Sequence, residues 1–134
     1  MKPRDARGFL TAYVPPGRDA LIWGVRVLDA GFEAFPTGKP YPAKEHHPAP
    51  YLYAWEDGRI FSEYQFLAIT RGSGILETAS CPHLEIEAGD LFILFPGEWH
   101  RFRPKPQTGW DENFVGFDGD YARHLMQIGR ASCR

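Results

Sequence analysis

Apolar and polar residues alternate with a period of two along much of this chain, most clearly between Leu84 and Arg103, LEIEAGDLFILFPGEWHRFR. Leu84, Ile86 and Ala88 alternate with Glu85 and Glu87, the pattern of a strand with one wet face. Ala88-Gly89-Asp90 predicts a turn, with Gly89 free to take positive φ. Leu91 to Phe95 is wholly apolar, which predicts a strand covered on both sides. Pro96-Gly97 turns the chain again. Beyond it, His100 and Phe102 face one way while Arg101 and Arg103 face the other. Tight turns with clean alternation predict a small β-barrel or sandwich.

The same reading extends in both directions. Residues 1–19 are polar and turn-rich, with Pro15-Pro16-Gly17, and are expected to form an arm whose Tyr13 can pack on a pocket mouth. Residues 20–118 are expected to form the barrel. Leu21 to Leu28, LIWGVRVL, predicts its first strand, with Leu21, Trp23, Val25 and Val27 on one face and a bulge at Gly24. Asp29 to Pro50 contains Pro36, Pro40, Pro42, Pro48 and Pro50, which predicts an irregular stretch. It places His46-His47 in a solvated loop. Tyr51, Tyr53 and Trp55 alternate with Leu52 and Ala54 as a strand, and Glu56-Asp57-Gly58 predicts a hairpin turn. Tyr64 to Thr70 predicts a mostly apolar strand, Arg71-Gly72-Ser73-Gly74 a turn, and Ile75 to Thr78 the return strand. Cys81 follows in a loop, where an isolated cysteine reads as inert. Trp110 to Phe117 predicts the last strand, with Glu112 and Phe114 sharing a face. Asp120 stands as N-cap to Tyr121–Gln127, so residues 119–127 read as the start of a helix.

Composition adds size and compartment. The 134 residues suit one domain, and 43% hydrophobic and 15% aromatic content supplies both a core and an aromatic-lined pocket. No apolar run reaches ~18 residues, so no membrane partner is expected. The N-terminus lacks the apolar core of a signal peptide. Two cysteines, Cys81 and Cys133, make no framework, so a reducing cytoplasmic location is expected. The net charge is −2 with no basic stripe, which argues against nucleic-acid binding by this chain alone. The last seven residues, IGRASCR, match the translation of a common sequencing-adapter strand. Residues 128–134 are therefore expected to be a non-native tail, with the true sequence continuing beyond Gln127. Without that tail the net charge becomes −4 and Cys133 leaves the cysteine count.

The spacing of Gly89, Phe95-Pro96-Gly97 and His100 resembles the second motif of the cupin barrels. The first cupin motif, His-x-His followed by Glu, is missing. Arg59 to Gly72 contains no histidine, and Gln65 stands about where the Glu would fall. One histidine cannot hold a transition metal. A barrel with neither metal nor cofactor is expected, and His100 reads as either a pocket hydrogen-bonder or a satisfied structural histidine. No serine or cysteine has a histidine placed near it by motif. No glycine-rich loop follows a strand to open a helix. The carboxylates Glu63, Glu77, Glu85, Glu87, Glu98, Asp111 and Glu112 read mostly as wet-face or turn residues. Aromatic residues, among them Trp23, Trp55, Phe102, Trp110 and Phe114, fill a core or line a pocket, where rings stack on the C–H faces of sugars.

The runs EYQFLAITRGSGILE, EAGDLFILFPGEWHRFRP and GWDENFVGFDGDYARHLM, in this order, resemble the N-terminal sensor domain of AraC-family transcriptional regulators, from about Tyr13 to Gln127. The resemblance implies an all-β, double-stranded β-helix (jelly-roll, cupin-like) barrel followed by the start of a C-terminal helix. It implies a small-molecule effector, commonly a sugar, held beneath an N-terminal arm, and no catalysis. It also implies a homodimer through two helices after the barrel, and DNA binding through C-terminal helix-turn-helix units. This sequence matches only the barrel and the first turn of those helices, so DNA is a partner only through the missing part. Carried over by position, the pocket residues are Arg59, His100, Phe102, Glu112 and Phe114, with Tyr53 and Trp55 from the same barrel face. The arabinose-binding member of the family has tyrosine, histidine and tryptophan where Phe102, Glu112 and Phe114 stand. These departures argue against arabinose and keep an aromatic platform at Phe114. Two other classes stay open: a small metal-dependent cupin enzyme, and a free-standing carbohydrate-binding module.

Overall fold

The computed structural model describes residues 8–15, 17–42 and 54–128. The chain runs β1 (Phe9–Tyr13), β2 (Arg26–Phe35), β3 (Arg59–Ile60), β4 (Tyr64–Thr78), β5 (Leu84–Glu87), β6 (Leu91–Leu94), β7 (Trp99–Pro104), β8 (Trp110–Asp118) and α1 (Asp120–Ile128). Every described strand pairing is antiparallel. One sheet has the order β1-β2-β8-β4-β6 and the other β5-β4-β7-β3, because β4 serves both. The fold is the expected all-β jelly roll. Its core, including Phe35, Leu67, Ile69, Leu76, Leu94, Phe102 and Trp110, draws on both sheets. No described helix is long and apolar enough to cross a membrane.

The turns around Gly89 and Gly97 form where expected, both glycines with positive φ. In β7, His100 and Phe102 are buried at 1% exposure each while Arg101 and Arg103 face outward. The wholly apolar Leu91–Phe95 run is less enclosed than expected. Phe92 and Leu94 are buried, but Leu91 is 61% exposed.

The segment Arg71-Gly72-Ser73-Gly74 is not a turn. It is the crossing of one 15-residue strand from one sheet to the other, with a register shift between Ile69 and Arg71. Gly72 takes φ 82°, and a Cβ there would run into the Gly109 carbonyl. A Cβ at Gly74 would meet the Trp110 ring. The glycines therefore permit close approach at a bend, not reversal. Arg71 holds the corner, donating to the Phe35 and Thr108 carbonyls and to Asp111 Oδ1 at 2.9 Å. Ile75–Thr78 continues β4 and is not a return strand.

The N-terminal half departs further. Leu21 to Leu28 is not the first strand: residues 18–22 form a turn, and Leu21, Ile22 and Trp23 are each about four-fifths exposed. The strand starts at Arg26, locked by its bidentate pair with register partner Asp118 (2.6 and 3.0 Å), and runs through the segment expected to be irregular. Its inward positions are Asp29, Gly31, Glu33 and Phe35, too polar for hydropathy to reveal. Part of the expected arm forms β1, an edge strand paired with β2. Trp55 lies in a turn, while His46-His47, Tyr51 to Tyr53, residues 1–7 and residues 129–134 lie outside the described residues.

Helix α1 begins as expected, with a different cap. The Tyr121 and Ala122 amides both donate to the Gly24 carbonyl (2.9 and 3.2 Å), which takes the place of an Asp120 side-chain cap. Asp120 instead pairs with Arg123. Ala122 is buried in a second small cluster with Tyr64 and Phe117, on the outer face of β4 and β8.

Candidate functional site

The site grows from the pairing of β2 with β8. Four register pairs follow one another on the inner face: Phe35 with Trp110, Glu33 with Glu112, Gly31 with Phe114, and Asp29 with Gly116. A Cβ at Gly31 would strike the Phe114 ring, and one at Gly116 would strike the Asp29 carboxylate. Each glycine clears space for the functional side chain opposite it. Asp29, Glu33 and Glu112 are 2%, 0% and 5% exposed, so three carboxylates stand inside the barrel. Such burial is costly unless charges are paired or protonated.

Each acid meets that cost differently. Glu112 Oε2 accepts from Trp110 Nε1 at 2.9 Å and from Tyr41 Oη at 3.3 Å. Its pKa is pushed up to about 8, first by burial and then by the negative charge of Glu33, with Arg59 and the two donors opposing. At neutral pH Glu112 is therefore a neutral acid, able to donate as well as accept. Glu33 stays within 4.0 Å of the Lys39 ammonium. Asp29 faces Tyr13 of β1, whose phenol pKa is raised by burial and by that carboxylate.

Across the cavity, β3 supplies Arg59. Its guanidinium lies 4.7 Å from the Phe61 ring centroid and 5.1 Å from that of Phe102, a stacked cation between two aromatic faces. His100, the register partner of Arg59, stacks on Phe102 at 6.1 Å and sets its ring edge-on to Phe61 at 4.8 Å. Its Nδ1 lies 3.3 Å from the Glu98 carbonyl, and its buried Nε2 finds no hydrogen-bond partner among the described residues. Burial, then the Arg59 charge, pulls its pKa down to about 4, so the ring is neutral.

These groups enclose a cavity of about 40 Å³, lined also by Gln65, Leu67 and Pro42. That volume holds a few waters and is well short of the ~300 Å³ of a small ligand pocket. The protein fills the remainder itself. Tyr41 inserts its ring against Phe35 (4.6 Å), Phe102 (6.0 Å) and Trp110 (6.2 Å).

Of the residues expected from sequence, Arg59, Phe102, Glu112 and Phe114 line this cavity. His100 adjoins it through Arg59 and Phe102 without lining it. Trp55 lies elsewhere: its ring packs on Arg101 (4.4 Å) and Arg103 (3.8 Å), on the outer face of β7. Tyr53 lies outside the described residues. Sequence reasoning missed Asp29, Glu33, Phe35, Tyr41 and Phe61. The period-two series Asp29-Gly31-Glu33-Phe35 was the available signal for three of them.

The arrangement offers carboxylates, a carboxylic acid, a guanidinium, an amide and aromatic faces. That is a set for binding a polar guest. Among the described residues, no group of three or more His, Cys, Asp or Glu side chains is placed to hold a metal ion.

A solved cupin of the RmlC type with a double-stranded β-helix fold, from Methanocaldococcus jannaschii, is similar over 93% of this chain and 92% of its own, with 14% identity and a TM-score of 0.51. That likeness supports the fold. A Cupin 2 conserved barrel domain protein from Salinispora arenicola matches 98% of this chain and 97% of its own, at 15% identity and a TM-score of 0.46. A predicted oxalate decarboxylase from Thermotoga maritima matches 83% and 80%, at 16% identity and a TM-score of 0.47. No curated protein matches the chain significantly. The family model of the AraC-like ligand binding domain matches residues 51–132, spanning β3 to α1, and the chain belongs to that family.

Proposed function

We propose that this domain is the effector sensor of a cytoplasmic AraC-type transcriptional regulator, that its effector is a small polyhydroxylated molecule of the sugar class, and that it performs no catalysis. The observation that carries the reading is the enclosed polar set on an aromatic floor. Glu112 and Gln65 combine donors and acceptors, Arg59 donates, and Asp29 and Glu33 accept, while Phe114 and Phe102 offer faces for C–H groups. A ring-sized guest enters by displacing the Tyr41 ring.

The sensing step follows from what the guest must move. Tyr13 on the edge strand and Tyr41 on the loop after β2 both reach the cavity. A guest shifts the balance between two arrangements only by its differential affinity for them. The strand carrying Asp29 and Glu33 begins just after Gly24, whose carbonyl holds the first turn of α1. That link is the proposed route from the cavity to the helix, and thence to a dimer and a DNA-binding unit joined through it.

Titration calorimetry of the full chain against neutral and amino hexoses and pentoses tests this reading. We expect a saturable heat with at least one sugar, and loss of most of that affinity in Arg59→Ala. Silence across the panel, or unchanged binding in the variant, overturns it.

A further inference from the structure

We propose that the Tyr41 side chain stands in the place of the guest's own ring, as an internal competitor that sets the guest's class: a six-membered sugar ring, a pyranose, one of whose hydroxyls takes over the contact of the Tyr41 hydroxyl with Glu112. The inference rests on the sugar-sensing reading and narrows it.

The box around the Tyr41 ring has three aromatic walls. The rings of Phe35, Phe102 and Trp110 lie 4.6, 6.0 and 6.2 Å from it, at interplanar angles of 61°, 57° and 89°. No wall is parallel to the ring, so the ring sits in a collar. Phe35 closes β2, Phe102 lies on β7 and Trp110 opens β8, and all three are buried. Three strands therefore fix the shape of the collar, whose apolar surface suits the C–H groups of a sugar ring. At its end, Glu112 Oε2 accepts from Trp110 Nε1 at 2.9 Å and from Tyr41 Oη at 3.3 Å. Trp110 holds the carboxyl in position. Tyr41 supplies a hydroxyl that a guest can supply instead.

The walls belong to strands, but their occupant does not. Tyr41 lies in the loop after β2, outside any strand or helix. It lines both the inner cavity and a cleft of about 360 Å³ outside it, whose walls include Pro36, Pro40, Pro104 and Pro106. The base of the loop is tied down: the Gly38 amide donates to the Pro106 carbonyl and the Lys39 amide to the Pro36 carbonyl, each at 3.1 Å. Tyr41 is thus the partition between a closed cavity and an open cleft. Its ring can leave the box without any two strands parting.

An occupant carried by the chain itself competes with every free guest. The apparent dissociation constant is the intrinsic one divided by the fraction of molecules whose box is empty. A ring that fills the box about nine-tenths of the time weakens binding about tenfold. The space it vacates has the outline of one six-membered ring with a hydroxyl. A five-membered ring leaves part of that space without contacts. An open-chain polyol must give up its rotor freedom to fit.

Titration calorimetry on the full chain tests this with D-glucose, D-galactose and D-xylose, their open-chain alditols, and p-cresol, which is the tyrosine side chain as a free molecule. We expect a sugar to bind the wild type at least about tenfold tighter than its alditol does. Tyr41→Ala tightens that sugar at least about tenfold, and Tyr41→Phe, which keeps the ring and the packing but loses the hydroxyl, tightens it severalfold. p-Cresol binds Tyr41→Ala, raises its melting temperature and is displaced by the sugar, while the wild type ignores it. A sugar bound no tighter by either variant than by the wild type overturns the internal competitor and leaves sugar sensing standing. An alditol bound as tightly as its sugar overturns the pyranose. Silence of every sugar, in the variants as in the wild type, overturns sugar sensing and the pyranose with it.

Discussion

Two walls of the same barrel bury ionisable groups and treat them in opposite ways. On β7, His100 is sealed between Phe61 and Phe102 next to a guanidinium, and its environment keeps it neutral by lowering its pKa. On β2 and β8, Asp29, Glu33 and Glu112 crowd together, and the strain is relieved by raising the pKa of Glu112. The first wall is a core that contains one polar ring. The second is a polar surface folded inward, held there by glycines opposite the side chains and by a loop whose tyrosine and lysine supply partners. The difference teaches which wall is free to exchange partners. A guest on the β7 wall would have to break aromatic stacking, whereas on the β2–β8 wall it meets polar groups, among them Glu112 and Glu33, whose contacts with Tyr41 and Lys39 are long.

The sharpest test of that contrast is Glu112→Gln. The folded pKa near 8 lies above the ordinary 4.5, so the folded protein holds this proton more tightly than the unfolded chain does. The associated stability is fully present below about pH 4.5 and is lost as pH rises through 8. At 1.36 kcal/mol per unit the full swing is about 5 kcal/mol. The glutamine variant keeps the shape and removes the proton. Urea denaturation from pH 6.5 to pH 9, above the range in which His100 titrates, should find the wild type losing stability toward alkali and the variant nearly flat. Parallel curves for the two proteins would mean that Glu112 titrates normally and that the β2–β8 wall carries no stored charge.

His100→Asn probes the opposite limb. The folded pKa near 4 lies below the ordinary 6.5, so here stability is present above pH 6.5 and is lost as pH falls through 4. The swing is about 3 kcal/mol. Asparagine can still donate to the Glu98 carbonyl, so the variant should lose the acid limb while keeping the alkaline one. Loss of both limbs would mean that the two walls titrate as one network.

The same contrast explains what could be read from the sequence. Where the inner face is apolar, alternation betrays it: β5, β7 and the inward pair His100 and Phe102 follow from period two, and the turns at Gly89 and Gly97 from their turn residues. Where the inner face is the site, the signal inverts. Asp29, Gly31 and Glu33 resemble a loop to any reading that equates burial with hydrophobicity, so hydropathy puts the first strand on Leu21 to Leu28, whose Leu21 to Trp23 are exposed, while β2 begins only at Arg26. The glycines of Arg71 to Gly74 misled for a related reason. Positive φ marks Gly72, but the neighbour that demands it, Gly109, is distant in sequence. Arg59, Glu112 and Phe114 were legible only through family resemblance, since their own spacing is that of any half-wet strand. Tyr41 had no sequence signal, because its role depends on a box assembled from Phe35, Phe102 and Trp110.

The smallest expected effect belongs to Trp55, and it guards against a false positive. An aromatic side chain close in sequence to Arg59 looks like a pocket residue. In the fold, the chain turns between them, and Trp55 packs over Arg101 and Arg103 while its carbonyl accepts from Arg101 at 3.0 Å. Such partly exposed cation–π contacts contribute about 0.5–1 kcal/mol. Trp55→Ala retains the carbonyl and loses only the ring, so denaturation should register no more than about 1 kcal/mol of lost stability. Binding of any sugar that Arg59→Ala weakens should be unchanged within about twofold, because the ring touches the far side of β7 from the cavity. A tenfold loss of affinity in Trp55→Ala would place the guest on the outer face of the barrel, and would return the β2–β8 wall to the role of an expensive core.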